Sequence, residues 1–319
     1  MQIRALSATA LGVGIVLALS VLPAHSRTDL LEPEPLPGWI LFTSCRDRDC
    51  EIYKIRADGT GRAIQITDDE TWEAEPSWSP DGRRIAFMRG SNSEIYTMRS
   101  DGSRQRRRTN QRYHDGRQPS WSPDGNRIAY GSSNGDGAEL RAVVVGREPG
   151  DQSIAWGEEN ATFGDPTWSP DGEWIAFVDS SWGDEHMLFV PTHGDTSSGG
   201  DVEWVDLPMG SDPDNPTWSP DGEWIAYAAT DYTYETGDDP ETLDRDLFLM
   251  SPDGTLGMRL EEEPSESIPG GWSPDGRYLS FASDRLGSWD IFMIDVVTRE
   301  VTPLVTHPKN DWSPDWWAP

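Results

Sequence analysis

The chain has 319 residues with 31 Gly, 25 Pro and 16 Trp, punctuated too often for long helices yet long enough for one large domain. Acidic residues outnumber basic ones 56 to 26, for a formal charge of −30. Such a surface repels nucleic acid and anionic membranes, and suits cations, basic partners or plain solubility.

In chain order, Arg4, the apolar run from Ala5 to Leu22 and the small residues of Pro23-Ala24-His25-Ser26 predict a signal peptide over residues 1–26, cleaved before Arg27. Left uncleaved, that run is near the minimum for a membrane anchor; no later segment is apolar enough to span. The expected location is periplasmic or secreted. Residues 27–37 read as an acidic, Pro-rich linker. Cys45 and Cys50 are the only cysteines. Export to an oxidising compartment favours their disulfide, which on the chain-entropy model contributes roughly 2 kcal/mol for so short a loop.

From there the sequence repeats. Trp-Ser-Pro-Asp-Gly begins at Trp78, Trp121, Trp168, Trp218 and Trp272, and a truncated Trp-Ser-Pro-Asp begins at Trp312, in steps of 40–54 residues. In the turn, Pro fixes φ, Asp bonds back to nearby N–H groups and Gly accepts positive φ. A short apolar run follows each copy, as in Ile85-Ala86-Phe87 and Ile225-Ala226-Tyr227, fitting strands covered on both faces. Further strands such as Glu94–Met98 lead to Asp-Gly turns. The Trp is large enough to fill the gap between neighbouring units. Gly38–Ser44 matches the part of a repeat that should follow the motif. The fold class is therefore all-β: a six-bladed β-propeller of four-stranded blades over residues 38–319, closed by the C-terminal strand completing the first blade.

The pattern Pro-x-Trp-Ser-Pro-Asp-Gly-x-x-Ile-Ala-Phe, then Glu-Ile-Tyr-x-Met and Asp-Gly, as at Pro76–Phe87, Glu94–Met98 and Asp101–Gly102, resembles the propeller repeats of the TolB-like family of the Tol–Pal system. The resemblance implies a periplasmic propeller presenting loops to a partner protein. It covers the propeller and not the α/β domain that precedes it in TolB. Prolyl-oligopeptidase-type enzymes carry similar repeats; the one Gly-x-Ser-x-Gly string here, Gly131–Gly135, directly follows the apolar run Ile128-Ala129-Tyr130 of a propeller repeat and not a strand-to-helix turn.

Strand order puts the Ser-Pro-Asp-Gly turns on one end of the propeller and the variable loops on the other, where function is expected. The residues just before the motifs are Glu75, Gln118, Asp165, Asn215, Ile268 and Asn310. They are predicted to ring the central channel as a partner- or cation-binding mouth, or else to cap strand ends and order channel water. The acidic insertion 231–246 reads as a cover for the mouth, a grip on a basic partner, or a solvated loop. His114, His186 and His307 fall on the variable side and His193 opposite; manganese-dependent oligogalacturonate lyases, propellers with a similar repeat, use histidines for metal. Arg104, Arg106, Arg107 and Arg108, with Arg112 nearby, form a basic patch that docks an acidic partner or glycan, or guards a sheet edge. Asn160-Ala161-Thr162 is a glycosylation sequon. The leading expectation is an exported, non-catalytic scaffold binding an envelope protein or peptidoglycan-associated partner, with no cofactor called for. The alternative is a carbohydrate-active propeller enzyme, a metal-dependent polysaccharide lyase or glycosidase-like protein.

Overall fold

The structure, a computed structural model, describes residues 36–46, 49–109, 115–134, 137–146, 151–156, 162–180, 185–192, 202–230, 245–261 and 263–319. The signal segment, most of the linker, the bulk of the acidic insertion, His114, His193, Arg112 and Asn160 lie outside these residues. Among the described residues, no helix is long and apolar enough to cross a membrane.

Six four-stranded antiparallel sheets form the blades of a propeller. Blade one joins the C-terminal strand β24 (Asp311–Trp317) to β1 (Trp39–Ser44), β2 (Glu51–Arg56) and β3 (Ile64–Gln65). Blade two is β4 (Glu73–Trp78), β5 (Arg84–Arg89), β6 (Glu94–Arg99) and β7 (Arg106–Arg107). Blade three is β8 (Asp115–Trp121), β9 (Arg127–Asn134), β10 (Gly137–Val144) and β11 (Asp151–Trp156). Blade four is β12 (Phe163–Trp168), β13 (Trp174–Asp179), β14 (His186–Pro191) and β15 (Glu203–Trp204). Blade five is β16 (Ser211–Trp218), β17 (Ile225–Thr230), β18 (Arg245–Met250) and β19 (Gly257–Arg259). Blade six is β20 (Ser267–Trp272), β21 (Tyr278–Ser283), β22 (Asp290–Asp295) and β23 (Val301–Val305). Pairing β24 with β1 closes the ring, as the repeat predicts.

The repeat builds each blade by the same physics. The second strand carries one central aromatic, namely Phe42, Phe87, Tyr130, Phe177, Tyr227 or Phe281, each at most 1% exposed. Burying such a ring contributes about 2–3 kcal/mol. Each turn is locked by its own side chains. In blade four Ser169 Oγ donates to Asp171 Oδ1 (2.5 Å), Glu173 N–H donates to the same carboxylate (2.9 Å), and Trp174 N–H donates to Ser169 Oγ (3.0 Å). The motif tryptophans wedge between blades and reach back to the preceding one. The indole N–H of Trp121, Trp168 and Trp272 donates to the carbonyls of Ser77, Ser120 and Thr217, each at 3.2 Å.

The C-terminus corrects one expectation. Trp312-Ser313-Pro314-Asp315 is not a sixth copy of the turn. In blade two, Trp78 pairs with Ile85 and Ser77 with Ala86, leaving Glu75 and Pro76 as a bulge opposite Phe87. In blade one, Trp316 pairs with Ile40 and Asp315 with Leu41, leaving Ser313 and Pro314 as the bulge. Trp316 is thus the wedge of this blade, 7% exposed, and Trp312 occupies the place of Ala74. The Pro-to-Trp spacing of two residues sets the register, because the bulge proline has no N–H to lose from the ladder.

Candidate functional site at the channel mouth

The innermost strands line a central channel. At its middle level stand Glu75, Gln118, Asp165 and Asn215, with Ser313 from blade one and Pro269 from blade six. The end on the variable-loop side adds Ile268, Trp289, Asn310 and Trp312. The sequence expectation for Glu75, Gln118, Asp165 and Asn215 thus agrees with their placement. Asn310 lies nearer the rim, exposed, with its carbonyl accepting from Cys45 N–H (3.1 Å). Ser313 takes the ring position expected of Asn310, for the register reason above. In blade six Ile268 pairs with Ala282 and has no bulge of its own. Cys45 and Cys50 are joined as a disulfide, with Cα atoms 4.1 Å apart, beside this end of blade one.

The ring residues share a conformation that ordinary side chains avoid. Glu75, Gln118, Asp165, Asn215 and Ser313 have φ between 48° and 53°, a left-handed backbone that costs about 1–2 kcal/mol outside glycine. The bulge imposes it, and in blades two to four it turns the ring N–H toward the preceding blade. Glu75 N–H donates to Thr43 Oγ1 (3.1 Å), Gln118 N–H to Glu75 Oε2 (2.7 Å) and Asp165 N–H to Gln118 Oε1 (2.8 Å). These side chains therefore tie blades one to four together.

The relay stops at Asp165. Asn215 N–H donates to Asp214 Oδ1 (3.1 Å) and also faces the Asp165 carboxyl, which lies against Asp214 and whose Oδ1 is buried with no hydrogen-bond partner. Asp165 is 8% exposed. Burial first, then the carboxylates of Asp214 and Glu75, push its pKa well above the usual carboxylate range, against the opposing N–H of Asn215. Arg245 lies on the far side of Asp214, its Nη1 2.8 Å from Asp214 Oδ2 and its Nη2 3.3 Å from Glu185 Oε2. Its charge is spent on those two partners. One level deeper, Asp315 accepts from Trp78 N–H (2.6 Å). Burial raises its pKa to about 7, against the N–H groups of Trp78 and Trp316 and the Ser77 hydroxyl. The mouth therefore holds buried carboxyl groups that keep their protons to higher pH, below a rim of two half-buried tryptophans.

Residues 38–196 match the TolB beta propeller domain family. The chain is a TolB-like β-propeller. Over 57 residues, it is 33% identical to the protein TolB homolog of Chlorobium luteolum, a match covering 18% of this propeller chain and only 13% of that relative's length. TolB from Acinetobacter baumannii superposes with a TM-score of 0.72 at 17% identity, covering 89% of this chain and 67% of the other. An oligogalacturonate lyase from Vibrio parahaemolyticus gives 0.55 at 14% identity, covering 84% and 74%. Both superpositions are likenesses of fold.

The other candidates in the TolB-like propeller are dispersed. His186, on β14, packs edge-on against Trp204 at 5.0 Å. His307 receives Lys309 N–H at Nδ1 (3.2 Å) in blade six. Among the described residues no group of three or more His, Cys, Asp or Glu has metal-holding geometry. Sequence reasoning missed Asp214, Asp315 and Ser313. The x-Pro-x-Trp spacing at Ser313–Trp316 was a signal for the last two. Nothing in the local sequence marks Asp214, whose meaning depends on Asp165 49 residues earlier.

Proposed function

We propose that this chain is an exported, non-catalytic scaffold that holds an envelope protein or peptidoglycan-associated partner through its variable-loop end, gripping a cationic group of that partner in the channel mouth. Asp165 carries the reading. A buried carboxyl crowded by the carboxylates of Asp214 and Glu75, with one oxygen unpartnered, is costly to ionise unless a ligand supplies a positive charge. A lysine ammonium, an arginine guanidinium or a chain-terminal amine fits that need, and the tryptophan rim suits the apolar part of such a segment. The likeness to TolB supports a protein-binding role, and the apolar leader of residues 1–26 with its small-residue cleavage site supports periplasmic or secreted placement ahead of a 27–37 linker. No cofactor is part of this function.

Affinity capture from envelope extract tests it, comparing the wild type with Asp165→Asn, a change that keeps shape and removes charge. A stoichiometric partner held by the wild type and lost by the variant is the expected result. A partner held equally by both refutes the channel-mouth reading.

A further inference from the structure

The channel continues below the mouth. A cavity of about 300 Å³ at the rim shares Glu75, Gln118, Asn215 and Ser313 with a cavity of about 160 Å³ at the level of the ring. That one shares Ser77, Ser120, Thr167 and Asp315 with a third, of about 220 Å³, which reaches the motif prolines Pro80 and Pro123 at the turn end. Together they form one axial bore. Glu75, Asp165 and Asp315 line it, and among the described residues no Lys, Arg or His does. A narrow cleft walled by one sign of charge concentrates ions of the other sign.

The acids stand at two levels. In the upper one Asp165 is 8% exposed, and its Oδ1 has no hydrogen-bond partner. The Arg245 guanidinium is held behind it by Asp214 and Glu185. The lower level is two residues further along the inner strands, about 6–7 Å at the usual strand rise. There Asp315 is held only by neutral donors, the N–H groups of Trp78 and Trp316 and the Ser77 hydroxyl. Ser120, Thr167 and Thr217 add hydroxyls at the same level from blades three to five, and these make no hydrogen bond among the described residues. In a six-bladed ring blade one faces blade four, so Asp315 and Asp165 stand on opposite walls of the bore.

We infer that the bore is a binding site for a linear aliphatic polyamine, with one ammonium at the Asp165 level and a second beside Asp315. Acids separated along an axis and across it do not converge on a point. Among the described residues no group of three or more His, Cys, Asp or Glu could hold a metal ion. A charge drawn out along a chain matches them instead. Each ammonium has three N–H donors. At the upper level they meet the Asp165 carboxyl and the side-chain oxygens of Asn215 and Ser313, and at the lower level Asp315 and the free hydroxyls. The methylenes of such a chain suit the apolar rim of Ile268, Trp289 and Trp312. The inference shares Asp165 with the scaffold reading, adds the lower level to it, and needs no protein partner.

Isothermal titration calorimetry of the purified protein tests it with spermidine, putrescine and the monoamine n-butylamine, at about 150 mM salt to screen attraction to the acidic surface. Spermidine should bind saturably at one site per chain, and n-butylamine at least about tenfold more weakly, because it reaches one level only. Asp165→Asn and Asp315→Asn should each weaken spermidine by at least about tenfold. Asp315→Asn should also abolish the preference for spermidine over n-butylamine. Glu223→Gln, which removes an exposed turn carboxylate, should change nothing. Asparagine keeps the shape of the acid, and unchanged thermal melting of the variants excludes misfolding. No saturable spermidine binding, equal affinity for n-butylamine, indifference to Asp315→Asn, an equal loss in Glu223→Gln, or displacement by equimolar magnesium would each overturn the inference. Partner capture by Asp315→Asn separates the two readings: a partner retained while spermidine is lost assigns the lower level to the polyamine alone.

Discussion

Replacing Trp316 by alanine should destabilise the protein far more than replacing Trp312, although Trp312 heads the better match to the repeat motif. Trp316 is 7% exposed, packs in the cluster that joins blades one and six, and donates its indole N–H to the Pro37 carbonyl (3.2 Å). Truncating a buried tryptophan costs about 3–5 kcal/mol, the cavity included, and the Pro37 carbonyl loses its donor. Trp312 is half-buried at the mouth, so its loss should cost about 1–2 kcal/mol on the area it covers. Because β24 and β1 close the ring, the Trp316 penalty falls on the seam. Urea denaturation followed by far-UV circular dichroism measures both variants, since the remaining tryptophans complicate fluorescence. The account requires Trp316→Ala to lose at least about 2 kcal/mol more than Trp312→Ala. Equal losses, or a larger one for Trp312→Ala, would refute the register assigned to the last strand.

Three further outcomes follow from the geometry of the channel and the turns. Asp165, Asp315 (pKa about 7) and Glu73 (about 8, raised first by burial) all hold protons more tightly in the folded state. Their contribution to stability is present below the ordinary carboxylate pKa and is lost as pH rises through the folded values. Thermal melting should therefore show stability falling from about pH 5 toward pH 8.5, with Asp165→Asn more stable than wild type at the upper end; a wild-type profile that rises over this window contradicts the reasoning. Partner affinity should move the other way, increasing with pH as Asp165 ionises. In the turns, Gly222 has φ 73° with only ordinary contacts around an added Cβ, whereas a Cβ on Gly82 would lie 2.1 Å from the Trp317 ring. Gly222→Ala should cost about 1–2 kcal/mol from backbone strain alone and Gly82→Ala measurably more, by chemical denaturation; equal costs would place the Trp317 contact in doubt.

Much of this was legible in the sequence because it is local. The Ser-Pro-Asp-Gly turn makes its hydrogen bonds within six residues, so each copy announces a turn, and the spacing of copies announces a blade. The wedge tryptophans and the single central aromatic per blade follow from the same short strings. The C-terminal register was harder, since Trp312–Asp315 imitates the turn string while the structural signal is the weaker Ser-Pro-Asp-Trp at 313–316. The pairing of Asp165 with Asp214, and of Asp214 with Arg245, could not be read at all. The first contact arises from blades four and five meeting at the axis and the second lies within blade five, between β16 and β18; their sequence separation reflects loop lengths and carries no chemical pattern. The ring residues were legible as channel-facing; their left-handed backbone and one-way hydrogen-bond relay required the bulge geometry.

The most direct test of a channel-mouth scaffold is site-specific photo-cross-linking in the native host. A photoreactive amino acid would replace Asn310, exposed at the mouth, or Asn126, exposed on the opposite turn face. The account predicts a discrete protein adduct from position 310, absent from 126, that disappears when Asp165→Asn is added. An adduct formed only from position 126, or one at 310 indifferent to Asp165→Asn, would contradict it.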